Sequence, residues 1–178
     1  MRVLAILTLL LAASTNGAEA QTLGVHAAGG PTLVDAGYSL AAGLNYAPTS
    51  RLALLFQYDH THINSRTTGD GRGTVTNFRG GTLSLGSAEL RVTPFRHDRI
   101  GPYGLAGVAV GISTPNVNAV FPTRVTNKAG GLALGGGMHV PFGDRIAAFA
   151  DVRIIVGAEG DDGVLGVAPV RAGLTWRF

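Results

Sequence analysis

From position 22 to the last residue, the chain falls into stretches of about ten residues in which apolar and polar side chains alternate. The final stretch is the cleanest. Val170, Ala172, Leu174, Trp176 and Phe178 fall on one parity; Arg171, Gly173, Thr175 and Arg177 fall on the other. Successive side chains of a strand point to opposite faces, so a period of two means a sheet with one apolar and one polar face. A helix would need a period near 3.6, and no stretch shows one.

Eight such stretches are expected as strands: 22–28, 37–47, 51–63, 81–94, 99–113, 130–141, 145–157 and 164–178. In the fourth, Leu83 and Leu85 share parity with Ser87, Glu89 and Arg91, against Ala88, Leu90 and Val92, which predicts a β-bulge near its start. The glycine-rich fifth does not declare its faces. Pro169 lies inside the eighth, where a proline loses a ladder hydrogen bond, so either a bulge sits there or the regular strand begins at Val170. Connections after the second, fourth and sixth strands are tight turns. Those after the third (64–80) and fifth (114–129) are long and polar. Short turns on one side, long loops on the other and an even strand number fit an up-and-down barrel that crosses a membrane with tilted strands.

Residues 1–20 read as a cleaved secretory signal: Arg2, an apolar run 3–13 too short to span a bilayer, and Ala18-Glu19-Ala20 before Gln21. The expected domain is therefore the barrel, 21–178. There is no cysteine, so neither a disulfide nor thiolate chemistry is available. Charged residues make up 14% of the chain, against ~25% in ordinary soluble domains, which is thin cover for a water-exposed surface. A net charge of +3 is too small and too scattered for a nucleic-acid partner, and none is expected.

Period two alone also fits a soluble barrel closed around a ligand. The polar parity argues against that. It holds Ser39, Ala41, Gly43, Ala133, Gly135 and Gly137, which would solvate poorly as an exterior but would leave room inside an eight-stranded barrel. Its charged members, Asp59, Glu89 and Asp151 with Arg91, Arg153 and Arg171, balance in number. They are expected as an interior network, read either as a plug of ion pairs or as a gated polar channel. Eight strands leave no aqueous lumen once filled, which favours the plug.

Signal, eight amphipathic strands and the ending Arg171-x-Gly173-x-x-Trp176-x-Phe178 resemble a small Gram-negative outer-membrane β-barrel protein of the opacity or outer-membrane-protein-A type. Pro102-Tyr103-Gly104-Leu105-Ala106-Gly107-Val108 is similar to a glycine-rich strand of that group. The resemblance implies an all-β fold: an eight-stranded antiparallel up-and-down transmembrane barrel. It also implies that Arg171, Gly173, Trp176 and Phe178 form an insertion signal read by the barrel assembly machinery, and that the barrel sits in the outer membrane beside lipopolysaccharide; the peptidoglycan-binding role of longer relatives is not implied.

Residues that could carry chemistry are sparse. In Asp59-His60-Thr61-His62, the two histidines share a face, which permits a metal site, but rim-located polar residues are the simpler reading. His62-Ile63-Asn64-Ser65 is similar to the His-x-Ser-Asn run of lipid A deacylases, with Ser and Asn reversed. No catalytic residue, metal or cofactor is expected. The two longest loops are net positive: Arg66, Arg72 and Arg79 outweigh Asp70, and Arg124 and Lys128 have no acid nearby. These five are candidate contacts for lipopolysaccharide phosphates or an acidic glycan, or simply solvated charges. The expected role is structural or adhesin-like surface interaction, its ligand unspecified. A lipid-modifying enzyme, a narrow pore and a periplasmic ligand-binding barrel are the alternatives.

Overall fold

The computed structural model describes residues 22–33, 36–69, 75–78, 80–94, 100–117, 122–160 and 163–178, without the side chains of 66–69 and 75–78. The expected signal segment lies outside these residues. The strands are β1 (Thr22–Thr32), β2 (Gly37–Ala47), β3 (Leu52–Ile63), β4 (Arg66–Gly69), β5 (Val75–Phe78), β6 (Gly81–Val92), β7 (Gly101–Pro115), β8 (Asn127–Phe142), β9 (Ile146–Glu159), β10 (Gly163–Val167) and β11 (Val170–Arg177). Every neighbouring pair is antiparallel. The order around the wall is β1-β2-β3-β6-β7-β8-β9, then β10 and β11, and β11 returns to β1. With β10 and β11 as two halves of one strand, this is a closed eight-stranded barrel. Closure pairs Gly24 with Arg177 through Gly29 with Ala172, so the last strand seals against the first.

Alternation places the faces as the apolar parity requires. Trp176 and Phe178 point outward, 46% and 74% exposed, while Arg171 between the same strands is 1% exposed. Leu132, Leu134, Val152, Ile154 and Leu174 continue the outward apolar wall. β7 now declares its faces: Tyr103, Leu105 and Ala109 are buried inside, and Val108, Val110 and Ile112 face out.

Two details differ from the sequence reading, and a third decides between alternatives it left open. β6 has no bulge: it pairs without a break from Gly81 with Ile63 to Val92 with Leu52, and equally with β7. Leu83 and Leu85 share parity with Glu89 because the interior is apolar at that level. They pack with Ala109, Ala129, Ala133, Ile155, Leu165 and Val167. A change of interior chemistry along one strand thus imitates a change of register.

The second difference concerns 64–80, which is not wholly loop. It contains the β4–β5 hairpin, paired from Arg66 with Phe78 to Gly69 with Val75. Alternation there is too short and polar to stand out. The third concerns Pro169, where the ladder is interrupted without an extra residue. Val167 faces Ile155 and Val170 faces Val152, so two residues span the gap on each strand. The Pro169 carbonyl still accepts the Arg153 N–H at 3.0 Å, and a bridge joins Pro169 to Thr32. The regular ladder resumes at Val170, but no bulge is needed.

Glycine is used asymmetrically across the wall. A Cβ on Gly137, which faces inward, would meet Ala150 O at 2.2 Å and Asp151 Cβ at 2.7 Å; on Gly104, which faces outward, it would meet nothing within 4 Å. Gly137→Val is expected to lower the urea-unfolding midpoint of the micelle-refolded barrel by about 1–3 kcal/mol equivalent, the scale of overpacking. Gly104→Val is expected to leave it unchanged. Equal loss from both would contradict the assigned faces.

Candidate functional site

The interior at mid-height is the densest assembly of chemistry among the described residues. Most of the long polar side chains there rise beside a small one on a neighbouring strand. Asp59 stands opposite Ala41, Gln57 opposite Gly43, Glu89 opposite Gly107, Arg153 opposite Gly135 and Asp151 opposite Gly137. An eight-stranded barrel has room for side chains but not for a full set of large ones. The small residues on β2, β7 and β8 make the charges fit.

Arg171 is the hub. Its Nε donates to Asp151 Oδ1 at 3.0 Å and its Nη2 to Asp151 Oδ2 at 3.3 Å, a fork on one carboxylate. Its Nη1 donates to Asp59 Oδ1 at 2.6 Å. Asp59 also accepts from Gln57 Nε2, and Gln57 Oε1 lies 3.2 Å from His26 Nε2. On the other side, Arg153 donates to Glu89 Oε1 and lies 3.5 Å from Asp151 Oδ2. Ser87 Oγ donates to Glu89 Oε1 at 3.0 Å, and Tyr103 Oη to Asp151 Oδ2 at 3.2 Å. One connected path therefore runs His26–Gln57–Asp59–Arg171–Asp151–Arg153–Glu89–Ser87, across β1, β3, β11, β9 and β6.

Of the six charged residues expected inside, five join this path. Arg91 does not: among the described residues it makes no ion pair, and its Cζ lies 5.6 Å from the centroid of the Tyr103 ring. Sequence reasoning missed the partners Tyr103 and Ser87. Tyr103 sat in the strand whose faces were undeclared, and a serine gives no pattern of its own. Beside the network, Ala53, Leu55, Tyr103 and Leu105 form a second apolar cluster, with Ala47 and Phe149 packed on it.

The cavity beside the network is small. A cavity of ≈ 10 Å³, about the room needed for one water, is lined by His26, Asn45, Arg91, Tyr103, Phe149 and Arg153, among others. Such an interior can hold charge, fix register and resist deformation.

The other sequence candidates are dispersed. Asp59 points inward while His60 and His62 lie on the outward parity, so the three do not converge, and no described group of three or more His, Asp or Glu could hold a metal. His60 Nδ1 lies 3.1 Å from Ser84 Oγ, and the His62 ring lies 5.4 Å from that of Tyr38. Ser65 does not meet His62. Its Oγ accepts from Gly80 N at 3.1 Å and from Asn116 Nδ2 at 3.2 Å, tying the bases of the two long connections. Arg124 and Lys128 are exposed. Arg66 begins β4, its side chain outside the described set, and Arg72 and Arg79 lie outside the described residues. Of the ending, Gly173 faces inward, where a Cβ would meet Ala28 Cβ and Phe149 Cζ, both at 2.7 Å.

A buried pair broken on one side leaves its partner charged and dry, at a cost of about 3–5 kcal/mol. Arg171→Met is therefore expected to destabilise the barrel by that amount in urea titration of the refolded protein. Adding Asp59→Asn and Asp151→Asn is expected to recover part of the loss, because the uncompensated charges go. Additive losses in the triple variant would contradict the network.

No family model matches the chain, and no curated protein matches it. Solved structures do. Neisserial surface protein A (NspA) aligns with TM-score 0.63 and 13% identity over 89% of this chain and 96% of that one. The N-terminal β-barrel domain of Pseudomonas aeruginosa OprF aligns with TM-score 0.61 and 16% identity, covering 88% and 97%. Ail, the attachment invasion locus protein of Yersinia pestis, solved in complex with the heparin analogue sucrose octasulfate, aligns with TM-score 0.52 and 14% identity, covering 89% and 96%. The shared feature is the fold: that of the eight-stranded outer-membrane barrels.

Proposed function

We propose that this protein is an outer-membrane barrel whose work is done by its exposed connections, with the wall as anchor and the interior as a rigid plug. The observation that carries this reading is the filled interior: five charged residues in one hydrogen-bonded path between two apolar clusters, with space for about one water beside it. A barrel packed in this way contributes stability and position, which leaves recognition to the loops. Residues 1–20 would direct export. Arg171, Gly173, Trp176 and Phe178 would present the last strand to the assembly machinery.

Net positive connections suit an anionic partner, either lipopolysaccharide phosphates or a sulfated or acidic glycan. Arg124 and Lys128 are exposed at the end of the barrel opposite its tight turns. Arg66, Arg72 and Arg79 belong to the neighbouring connection. The complex of Ail with a heparin analogue, on a similar fold, supports this class of ligand. The separation of His62 from Ser65 weighs against a deacylase.

Cell fractionation tests the anchor: the protein is expected with outer-membrane vesicles, and recovery in the soluble periplasm would overturn the reading. Binding of a soluble sulfated oligosaccharide to the full chain in nanodiscs tests the loops. Arg124→Ala with Lys128→Ala is expected to weaken it about fivefold, the scale of two exposed charge contacts of ~0.5 kcal/mol each. Added salt is expected to abolish most of the remainder. Binding indifferent to both would remove the anionic-ligand assignment.

A further inference from the structure

The outward wall is not uniform. On β8, β9 and β11 the outward positions carry Leu132, Leu134, Val152, Ile154, Val156 and Leu174. On β6 they are small over one interval: Thr82, Ser84, Gly86 and Ala88. The flanking strands are large at the same height, with Phe56 and Tyr58 on β3 and Val108 and Val110 on β7. A groove of ≈ 380 Å³ follows, with Gly86 and Ala88 as its floor and these four side chains as its walls. Six residue steps from Thr82 to Ala88 make the small interval about 20 Å long.

Chemistry changes along that interval. The lower part, Phe56, Tyr58, Gly86, Ala88, Val108 and Val110, is almost wholly apolar. The upper part is more polar although it lies on the outward parity: His60 is hydrogen-bonded to Ser84, His62 stands opposite Thr82, and Thr114 stands opposite Thr82 on the other side, with Ile112 opposite Ser84 the apolar exception. His60 and Ser84 already satisfy each other, but a cluster of imidazoles and hydroxyls is better matched by a polar head group than by hydrocarbon, and bulk water would leave the lower part uncovered. A single amphiphile satisfies both ends.

We propose that the β3–β6–β7 face is a binding site for one outer-leaflet glycolipid of the lipid A type, an acyl chain lying over Gly86 and Ala88 and the sugar-phosphate end meeting His60, Ser84 and Thr82. The assignment rests on the outer-membrane reading above, which puts this end of β6 in the outer leaflet. The groove is continuous with the lipid-facing wall, so a lipid chain is its natural occupant. The polar upper end distinguishes it from the rest of that wall.

The test uses the full chain in phosphatidylcholine nanodiscs containing a low fraction of lipid A, with the lipid retained after transfer to mild detergent counted by native mass spectrometry. Wild type is expected to retain one lipid A. Gly86→Leu fills the floor, and a Cβ there meets only Val110 O at 3.9 Å, so the barrel is expected to fold and retention to fall about tenfold. Ala88→Phe is a second filling variant should the first fail to refold, as judged by heat-modifiable migration. Ser84→Ala with His60→Ala is expected to lower retention of lipid A and leave that of phosphatidylcholine unchanged. Ala172→Phe, outward on the opposite wall, is expected to change neither. Equal retention by Gly86→Leu and wild type would overturn the site; so would equal capture of phosphatidylcholine, which would mark it as general lipid contact. The assay does not depend on where the cell places the protein, so its failure is distinct from failure of the fractionation test.

Discussion

The structure depends on Arg171 and its two carboxylates. A guanidinium 1% exposed is tenable only if its charge and its donors are met, and here Asp151 takes a fork while Asp59 takes the remaining arm. That one contact joins the closing strand β11 to β9 beside it and to β3 across the interior. It fixes which face of the last strand turns inward. Trp176 and Phe178 must then face outward, since a strand cannot bury Arg171 without exposing the opposite parity. The terminal residues and the central ion pairs are two consequences of a single register.

Space for the network comes from where the small residues lie. β2 and β8 are four places apart in the eight-membered order, so they face each other across the barrel. Their inward positions are Ser39, Ala41, Gly43 and Asn45 on one side, and Ala133, Gly135 and Gly137 on the other. The long side chains come from the two arcs between them and meet in the middle. The high glycine content thus serves packing more than turning: of the described glycines, only Gly143 and Gly160 adopt positive φ, 77° and 62°.

Much of this was legible in the sequence, and the limits were physical. Period two gave the strand number and, through Arg171, Asp151 and Asp59, the inward face, because charges sharing one parity with small residues fit an interior and the opposite parity is an apolar wall. The pairings were not legible: parity says that a side chain is inside but not at what height across a tilted barrel. Hence the absence of Arg91 from the ion-pair path of the described residues, and the partnership of Tyr103 with Asp151, had to be seen. Leu83 and Leu85 misled because parity was read as polarity, and an interior with apolar ends breaks that equation. The small β6 residues were visible as letters, yet a groove needs three strands in register, and Phe56, Tyr58, Val108 and Val110 lie far from Gly86 in the chain.

The proposed role as an anchor requires an interior that is closed. Conductance of the refolded full chain in planar bilayers measures this directly. The packed ion-pair path predicts no stable open state at moderate voltage and salt. A reproducible, long-lived conductance of the size of a water-filled channel would contradict it.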